Sequence, residues 1–290
     1  MTWNFTDDAD VFLKAAGAWL AGRPAENTLV LTIAATLRSS GAQAYGDGAP
    51  VLGWWRGPDG EVAGTLVQTP PHPPLLGVVA PEAVGPLTTA FPLTTVNADR
   101  ATADALAAEW PGHRVDKEQR LYRLGELIPP SPAPPGGPRS ATTADRALLV
   151  AWHRAFAADV GQPNARAERM VDERTADGRL TLWEIGGVPV SMAGVSLQVA
   201  GSVRVAPVYT PPEHRGRGYA AAVTAEVSRA AREAGSDEVV LFTDLANPTS
   251  NGVYQRIGFR PVSDRLLISA RDAGAEEGRP SPVRSAGRSD

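Results

Sequence analysis

The chain has 290 residues, is 43% hydrophobic with seven Trp, and carries a formal net charge of −4 at pH 7. That length predicts two domains, and the acidic balance, with a pI near 5.7, offers no electrostatic footprint for DNA or RNA. The absence of Cys excludes a disulfide framework, a Cys nucleophile and a thiolate metal site, and the four His show no metal-ligand spacing.

The opening residues Met1 to Asp8 lack the apolar core of a secretory signal, and no apolar run is long enough to span a bilayer. A cytoplasmic protein is expected, monomer or homodimer, with neither a membrane nor a nucleic-acid partner. Phe12, Ala15, Ala16, Trp19 and Leu20 form a helical stripe, with Asp8 or Asp10 as its cap. Leu29 to Thr36 reads as a strand. Pro50 to Arg56 and Glu61 to Gln68 flank Gly57-Pro58-Asp59-Gly60, a hairpin signal. Leu75 to Ala80 is a further strand, Glu82 to Phe91 a helix, Thr94 to Val96 a short strand, Ala101 to Trp110 a helix and Arg114 to Leu124 a strand. The prolines at 70, 71, 73 and 74 read as a rigid loop that borders a ligand site, or as a plain surface turn.

Six prolines fall between positions 129 and 138, which precludes helix and central strand and marks an extended spacer. Beyond it, Leu148, Leu149, Trp152, Phe156 and Val160 recur at helical spacing and are closed by Gly161. Asn164 to Ala176 reads as a more polar helix capped by Asn164. Arg179 to Ile185 and Val188 to Val199 form a hairpin around Gly186-Gly187. Ser202 to Thr210 is a strand, Ala221 to Ala234 a helix, Glu238 to Thr243 a buried strand, Ser250 to Ile257 a helix and Arg260 to Ser269 a closing strand. Residues 271–290, rich in Gly, Ser, Pro and charge, read as a disordered tail. The expected division is 1–128, a linker at 129–139, a second domain at 140–270, and the tail. The order of elements in the two halves hints at a structural duplication.

The most informative stretch is Arg215-Gly216-Arg217-Gly218-Tyr219-Ala220, between a strand and a helix. Small residues let a ligand approach the backbone, and a helix start offers unpaired N–H groups and a positive dipole end, the ingredients of a phosphate or pyrophosphate site. A tight turn selected for packing has the same appearance. A P-loop requires Gly-Lys-Ser/Thr, and this half contains no Lys. A dinucleotide fingerprint fits poorly, because Ala221 stands where its third glycine belongs. The first half has Ala80-Pro81-Glu82-Ala83-Val84 at the matching position, without a glycine pair and with a carboxylate that repels phosphate. Upstream, Pro207 lacks a ladder donor, so its strand should bulge or splay and free backbone groups for an extended amide-bearing ligand, or form an ordinary edge bulge. Downstream, Asn247 to Phe259 is a capped helix closed by Gly258, in which Tyr254 taken alone is a packing residue.

Together these blocks resemble the GNAT superfamily of acyl-CoA-dependent N-acyltransferases. Arg215, Gly218 and Ala220 match its pyrophosphate motif, Gln/Arg-x-x-Gly-x-Gly/Ala. Asn247, Ser250, Tyr254, Arg256, Gly258 and Phe259 match its second segment, in the correct order and spacing. The likeness covers Ser140 to Ser269, with the first half a degenerate copy. It implies an α/β fold, a mixed sheet with flanking helices, in a tandem arrangement. It implies acetyl-CoA as donor and no metal: Gly216, Arg217, Gly218, Tyr219 and Ala220 cradling pyrophosphate, Arg215 near a phosphate, Val208, Tyr209 and Thr210 along the pantetheine, and Asn247 on the opposite side. Tyr254 would protonate the departing thiolate. The implied reaction is direct attack by a primary amine of a small molecule or peptide, without a covalent enzyme intermediate. For a general base the candidates are Glu184 and Asp244, each with a structural role as the alternative. A non-catalytic acyl-CoA-binding or regulatory module is the rival reading, and a longer donor such as succinyl-CoA the second.

Overall fold

The computed structural model describes residues 1–110, 112–161 and 166–270. The expected tail and the Asn164 cap lie outside the described residues. The first half runs β1 (Thr2–Thr6), α1 (Ala9–Ala21), α2 (Thr28–Ser40), β2 (Val51–Arg56), β3 (Val62–Gln68), β4 (Leu75–Val79), α3 (Val84–Ala90), β5 (Thr95–Asp99), α4 (Arg100–Glu109) and β6 (Arg114–Leu124). The second half has the same succession of types: β7 (Gly137–Ser140), α5 (Arg146–Asp159), α6 (Ala167–Ala176), β8 (Leu180–Ile185), β9 (Val188–Val195), β10 (Ser202–Tyr209), α7 (Tyr219–Glu233), β11 (Glu238–Asp244), α8 (Pro248–Arg256) and β12 (Phe259–Ser269). The expected mixed α/β architecture is observed, and the hint of duplication becomes a match of element order over both halves.

One correction makes that match visible. Leu29 to Thr36 is not a strand but the body of α2. Its buried side chains, Val30, Leu31, Ala34 and Leu37, follow helical spacing and pack against α1 and β3. Thr32 and Thr36 return their hydroxyls to the carbonyls of Thr28 and Thr32, at 2.7 and 2.8 Å, which satisfies them inside the helix. Packing overrides the β-branched propensity that suggested a strand. Two strands also go beyond the sequence reading. β1 buries Trp3, whose indole donates to Ala83 O at 3.0 Å. The proline-rich spacer ends in β7, a strand at the sheet edge, where a sheet tolerates proline.

All twelve strands belong to one sheet, ordered β1-β2-β3-β4-β5-β12-β6-β11-β10-β9-β8-β7. The centre of that order is an exchange. β6, the last strand of the first half, lies against β11, and β12, the last strand of the second half, lies against β5. β6 and β12 then pair with each other from Phe259↔Leu124 to Ser269↔Arg114. Tyr122 and Leu124 are consequently core residues of the second half, with Val223 and Phe259, while Leu266 and Ile268 are core residues of the first, with Leu76 and Leu106.

Neither half can complete its sheet without the other. Residues 140–270 expressed alone would lack β6, leaving β11 with an open apolar edge and the second core without Tyr122. The expected outcome is an aggregated or molten fragment by near-UV circular dichroism, rescued by coexpression with residues 1–139; a cooperative, monomeric fragment would refute the interdependence.

Candidate active site

β10 begins as a regular parallel neighbour of β11, registered at Ser202↔Glu238, Val203↔Val239 and Arg204↔Val240. Past Arg204 the pairing ends and β10 diverges. On its other side β10 keeps contact with β9 through a register shift between Val205 and Val208, so the bulge falls on Ala206 and Pro207. The splay expected from Pro207 is therefore present, and it opens toward β11. Val208 packs on the second-half core; Tyr209 turns to the other face, against Trp152, with ring centroids 6.0 Å apart. Thr210 is fixed by its hydroxyl, 2.8 Å from Ser191 Oγ, while that same Ser191 hydroxyl donates to Tyr209 O at 3.1 Å.

The chain then turns at Pro212–His214 and enters α7 through Gly218, which adopts the left-handed conformation at φ +84°. Gly216 is also left-handed, at φ +76°. No side chain caps α7, and its first helical bond runs from Ala222 N to Gly218 O, so the amides of Tyr219, Ala220 and Ala221 lack helical acceptors. Gly216, Arg217 and Gly218 are exposed. The loop is thus an open run of donors at the positive end of a fifteen-residue helix. Two side chains depart from their expected orientation. The Tyr219 ring is buried in the core, so only its amide is available to a ligand. Arg215 donates to Thr210 O at 3.0 Å and to Asp159 at 2.7 Å, with its guanidinium 5.9 Å from the Tyr209 ring centroid, and so braces the loop against β10 and α5. The spacer borders the same loop: a Cβ on Gly218 would lie 3.9 Å from Pro134.

On the far side of the opening, Asn247 caps α8, accepting from Ser250 N at 3.0 Å. Tyr254, on α8, packs on the same core cluster as Val208 and sits edge-on to Phe259. Its hydroxyl has no hydrogen-bond partner among the described residues, and burial pushes its pKa up to about 12. Two further residues set this helix in place. Asn251 donates to Asp244 O and Asn247 O, at 2.8 and 2.7 Å, and accepts from the buried Tyr122 hydroxyl of β6 at 2.9 Å. Gln255 donates to that same hydroxyl at 3.0 Å. The motif contained Asn251 and Gln255 as unspecified positions; Tyr122 is separated from them by more than a hundred residues and gave no local signal.

Glu184 does not join this group. It lies on β8, with β9 between it and β10, and its carboxylate accepts from Arg139 at 2.5 Å. Arg139 simultaneously grips Asp145 through both Nη atoms, at 2.7 and 2.8 Å. That network ties β7 to the α5 entrance and holds the Asp145 carboxyl well below the usual range. Of the two roles expected for Glu184, base or structural partner, its position and its ion pair with Arg139 support the structural one. Asp244, at the end of β11, accepts from Ala246 N at 2.8 Å and shapes the turn before α8. No group of three or more His, Asp or Glu among the described residues could hold a metal ion, and no described helix is long and apolar enough to cross a membrane.

The corresponding opening in the first half is closed by side chains from both halves. Asn27, fully buried on the approach to α2, accepts from Val78 N at 2.9 Å. Arg265, delivered by β12, reaches between β4 and β5, donating to Leu76 O at 2.7 Å, Asn97 O at 3.0 Å and Asn97 Oδ1 at 2.9 Å. At the helix start, Trp3 occupies Ala83 O and α3 has seven residues.

Residues 146–259 match a family model described as the acetyltransferase (GNAT) family. An acetyltransferase of the GNAT family from Colwellia psychrerythraea is 11% identical with a TM-score of 0.61, over 93% of this chain and 100% of that one. A GCN5-related N-acetyltransferase from Sphaerobacter thermophilus is 19% identical with a TM-score of 0.58, over 92% and 94%. A Drosophila protein is 11% identical with a TM-score of 0.62, over 92% and 97%. These are likenesses of fold, and they take in both halves at once. No curated protein matches the chain in sequence.

Two substitutions test the contrast between the openings. Gly218→Glu places a side chain and a negative charge at a left-handed position among the free amides, and CoA binding by calorimetry should weaken by about 100-fold or more, roughly 2.7 kcal/mol; unchanged affinity would show that the loop holds no phosphate. Asn27→Ala leaves the Val78 amide buried without an acceptor and should cost about 1–3 kcal/mol in urea denaturation.

Proposed function

We propose that this chain, whose residues 146–259 match the GNAT acetyltransferase family model, is an enzyme that transfers the acetyl group of acetyl-CoA to a primary amine, by direct attack within a ternary complex. The observation that carries this reading is the unpaired stretch of β10 beyond Arg204, which leads straight into the uncapped start of α7. A phosphorylated ligand with an extended amide arm suits both parts. The amides from Gly216 to Ala220 bind the pyrophosphate, and β10 from Val208 to Thr210 pairs with the arm. An amide of that segment polarises the thioester carbonyl. Arg215 holds the loop in shape, and Asn247 and Asn251 set α8 along the opposite wall.

In the chemical step the amine nitrogen forms a bond to the acetyl carbon and the carbon–sulfur bond breaks. Tyr254 gives its proton to the departing thiolate, and the proton lost by the amine leaves through water. A phenol held protonated up to about pH 12 is always charged with the proton it must donate. Neither Glu184 nor a second carboxylate is assigned as base, and a metal has no part in the scheme.

Tyr254→Phe should lower the release of CoA thiol by about 100-fold while changing CoA affinity little, since the ring packing remains. Because a proton donor is present below its pKa and lost above it, the rate with wild type should show no descending limb attributable to Tyr254 before about pH 11. Full activity of the Phe variant would remove Tyr254 from the chemistry. Tight CoA binding without turnover of any amine would leave a binding module instead of an enzyme.

A further inference from the structure

Arg204 is the last residue of β10 to pair with β11, so it stands at the mouth of the opening. Its Nε is sealed from solvent without an acceptor, and its guanidinium makes no hydrogen bond or ion pair with any described residue. Arg174, on α6, reaches the same place: it donates to Ala206 O at 2.6 Å, at the bulge two residues further along β10. Gly194 on β9 makes room for it, since a Cβ there would lie 3.2 Å from both Arg174 Nη1 and Ala206 O. Burial, and next the like charge of Arg204, push Arg174 down to about 10; burial moves Arg204 in the same direction.

The carboxylates nearby are already committed. Glu173 is paired with Arg169 at 2.8 Å, and Asp177 with Arg179 at 2.6 Å. Tyr45, from the first half, lies within electrostatic reach of both guanidiniums, and burial raises its pKa, so it is neutral. The segment that carries Tyr45 is fastened over α6: Arg166 donates to Gln43 O and pairs with Asp47, and Arg169 Nη2 donates to Ser40 O at 3.4 Å. Arg265 shows the contrast. It is more deeply buried, and three acceptors surround it. Two adjacent half-buried guanidiniums, one with its Nε sealed from solvent and neither with a carboxylate partner, are unfavourable as a purely structural device, and their planar donor forks match a carboxylate or phosphate.

We propose that Arg174 and Arg204, roofed by Tyr45, bind an oxyanion of the acceptor, so that the preferred substrates are amines carrying a carboxylate or a phosphate. This rests on the acetyltransferase reading for its substrate, though not for the anion site itself. Ala206 is two residues, or ~7 Å along the strand, from Val208, so the anion and the reacting amine are separated by several bonds.

Melting temperatures measured with saturating CoA, which occupies the glycine loop, isolate this site. Inorganic phosphate or acetate should raise the wild-type value, and the more effective of the two tells phosphate from carboxylate. Arg204→Met should abolish that shift. Without added anion, Arg204→Met should melt ~2–4 °C higher than wild type, because an uncompensated charge is gone; a structural arginine would give a fall. In thiol-release assays, lysine against 1,5-diaminopentane and phosphoethanolamine against ethanolamine compare anionic with non-anionic amines. Wild type should favour an anionic member by about tenfold in kcat/KM, and the variant should lose the preference. No anion-dependent shift in wild type, or a lower melting temperature for the variant, overturns the proposal. An anion shift with no turnover of any amine supports the site and removes the acetyl-transfer reading alone.

Discussion

The pairing of β6 with β12 is the constraint on which everything else in the molecule depends. Because each half ends its sheet with the other's last strand, the two cores share a seam instead of meeting at a surface. The seam also reaches the candidate site. Tyr122 is a residue of the first half, yet its hydroxyl sits between Asn251 and Gln255 and fixes the helix that carries Tyr254. The position of Tyr254 is therefore set by a strand more than a hundred residues away in the chain.

Hydrogen-bond accounting distinguishes the two openings. A parallel strand that leaves its neighbour strands polar groups at about 1–3 kcal/mol each when they are buried. In the first half those groups are satisfied by Asn27 and Arg265, which close the gap permanently. In the second half Ala206 O is met by Arg174, but the stretch after Pro207 has no strand beside it on the β11 side and no substitute for Asn27. The same duplicated architecture thus yields one opening that side chains fill and one in which the strand edge after Pro207 stays unpaired on the β11 side.

Much of this was legible in the sequence, and the rest was hidden for physical reasons. The glycine loop, the bulge at Pro207 and the Asn247–Phe259 helix are local features, carried by residues whose backbone consequences hold wherever they occur. α2 was misread because Thr28 to Leu37 is rich in β-branched residues, and only its packing against α1 and β3 shows that the helical period governs. β1 is short and depends on Trp3 finding Ala83, a contact across eighty residues. The partner of Glu184 was hidden because Arg139 is in the proline-rich stretch, which reads as a spacer and not as β7. The exchange of β6 and β12 has no sequence signature at all: two adjacent copies and two swapped copies have the same element order.

That exchange also explains how the opening of one copy can be filled while its fold is kept. Once β12 belonged to the first sheet, a residue on it could fill the first opening, and Arg265 does so with three acceptors. Once β6 belonged to the second sheet, Tyr122 could hold α8. With its own slot closed, the first half was free to supply the remaining wall: the segment from Ser40 to Asp47, held down on α6, covers the side of β10 where Arg174 and Arg204 meet. The opening in the second half is consequently bounded by the glycine loop at one end and by a surface of the other half at the opposite end. The glycine loop is a feature that a single copy can carry, whereas the wall facing Arg174 and Arg204 in this arrangement requires both.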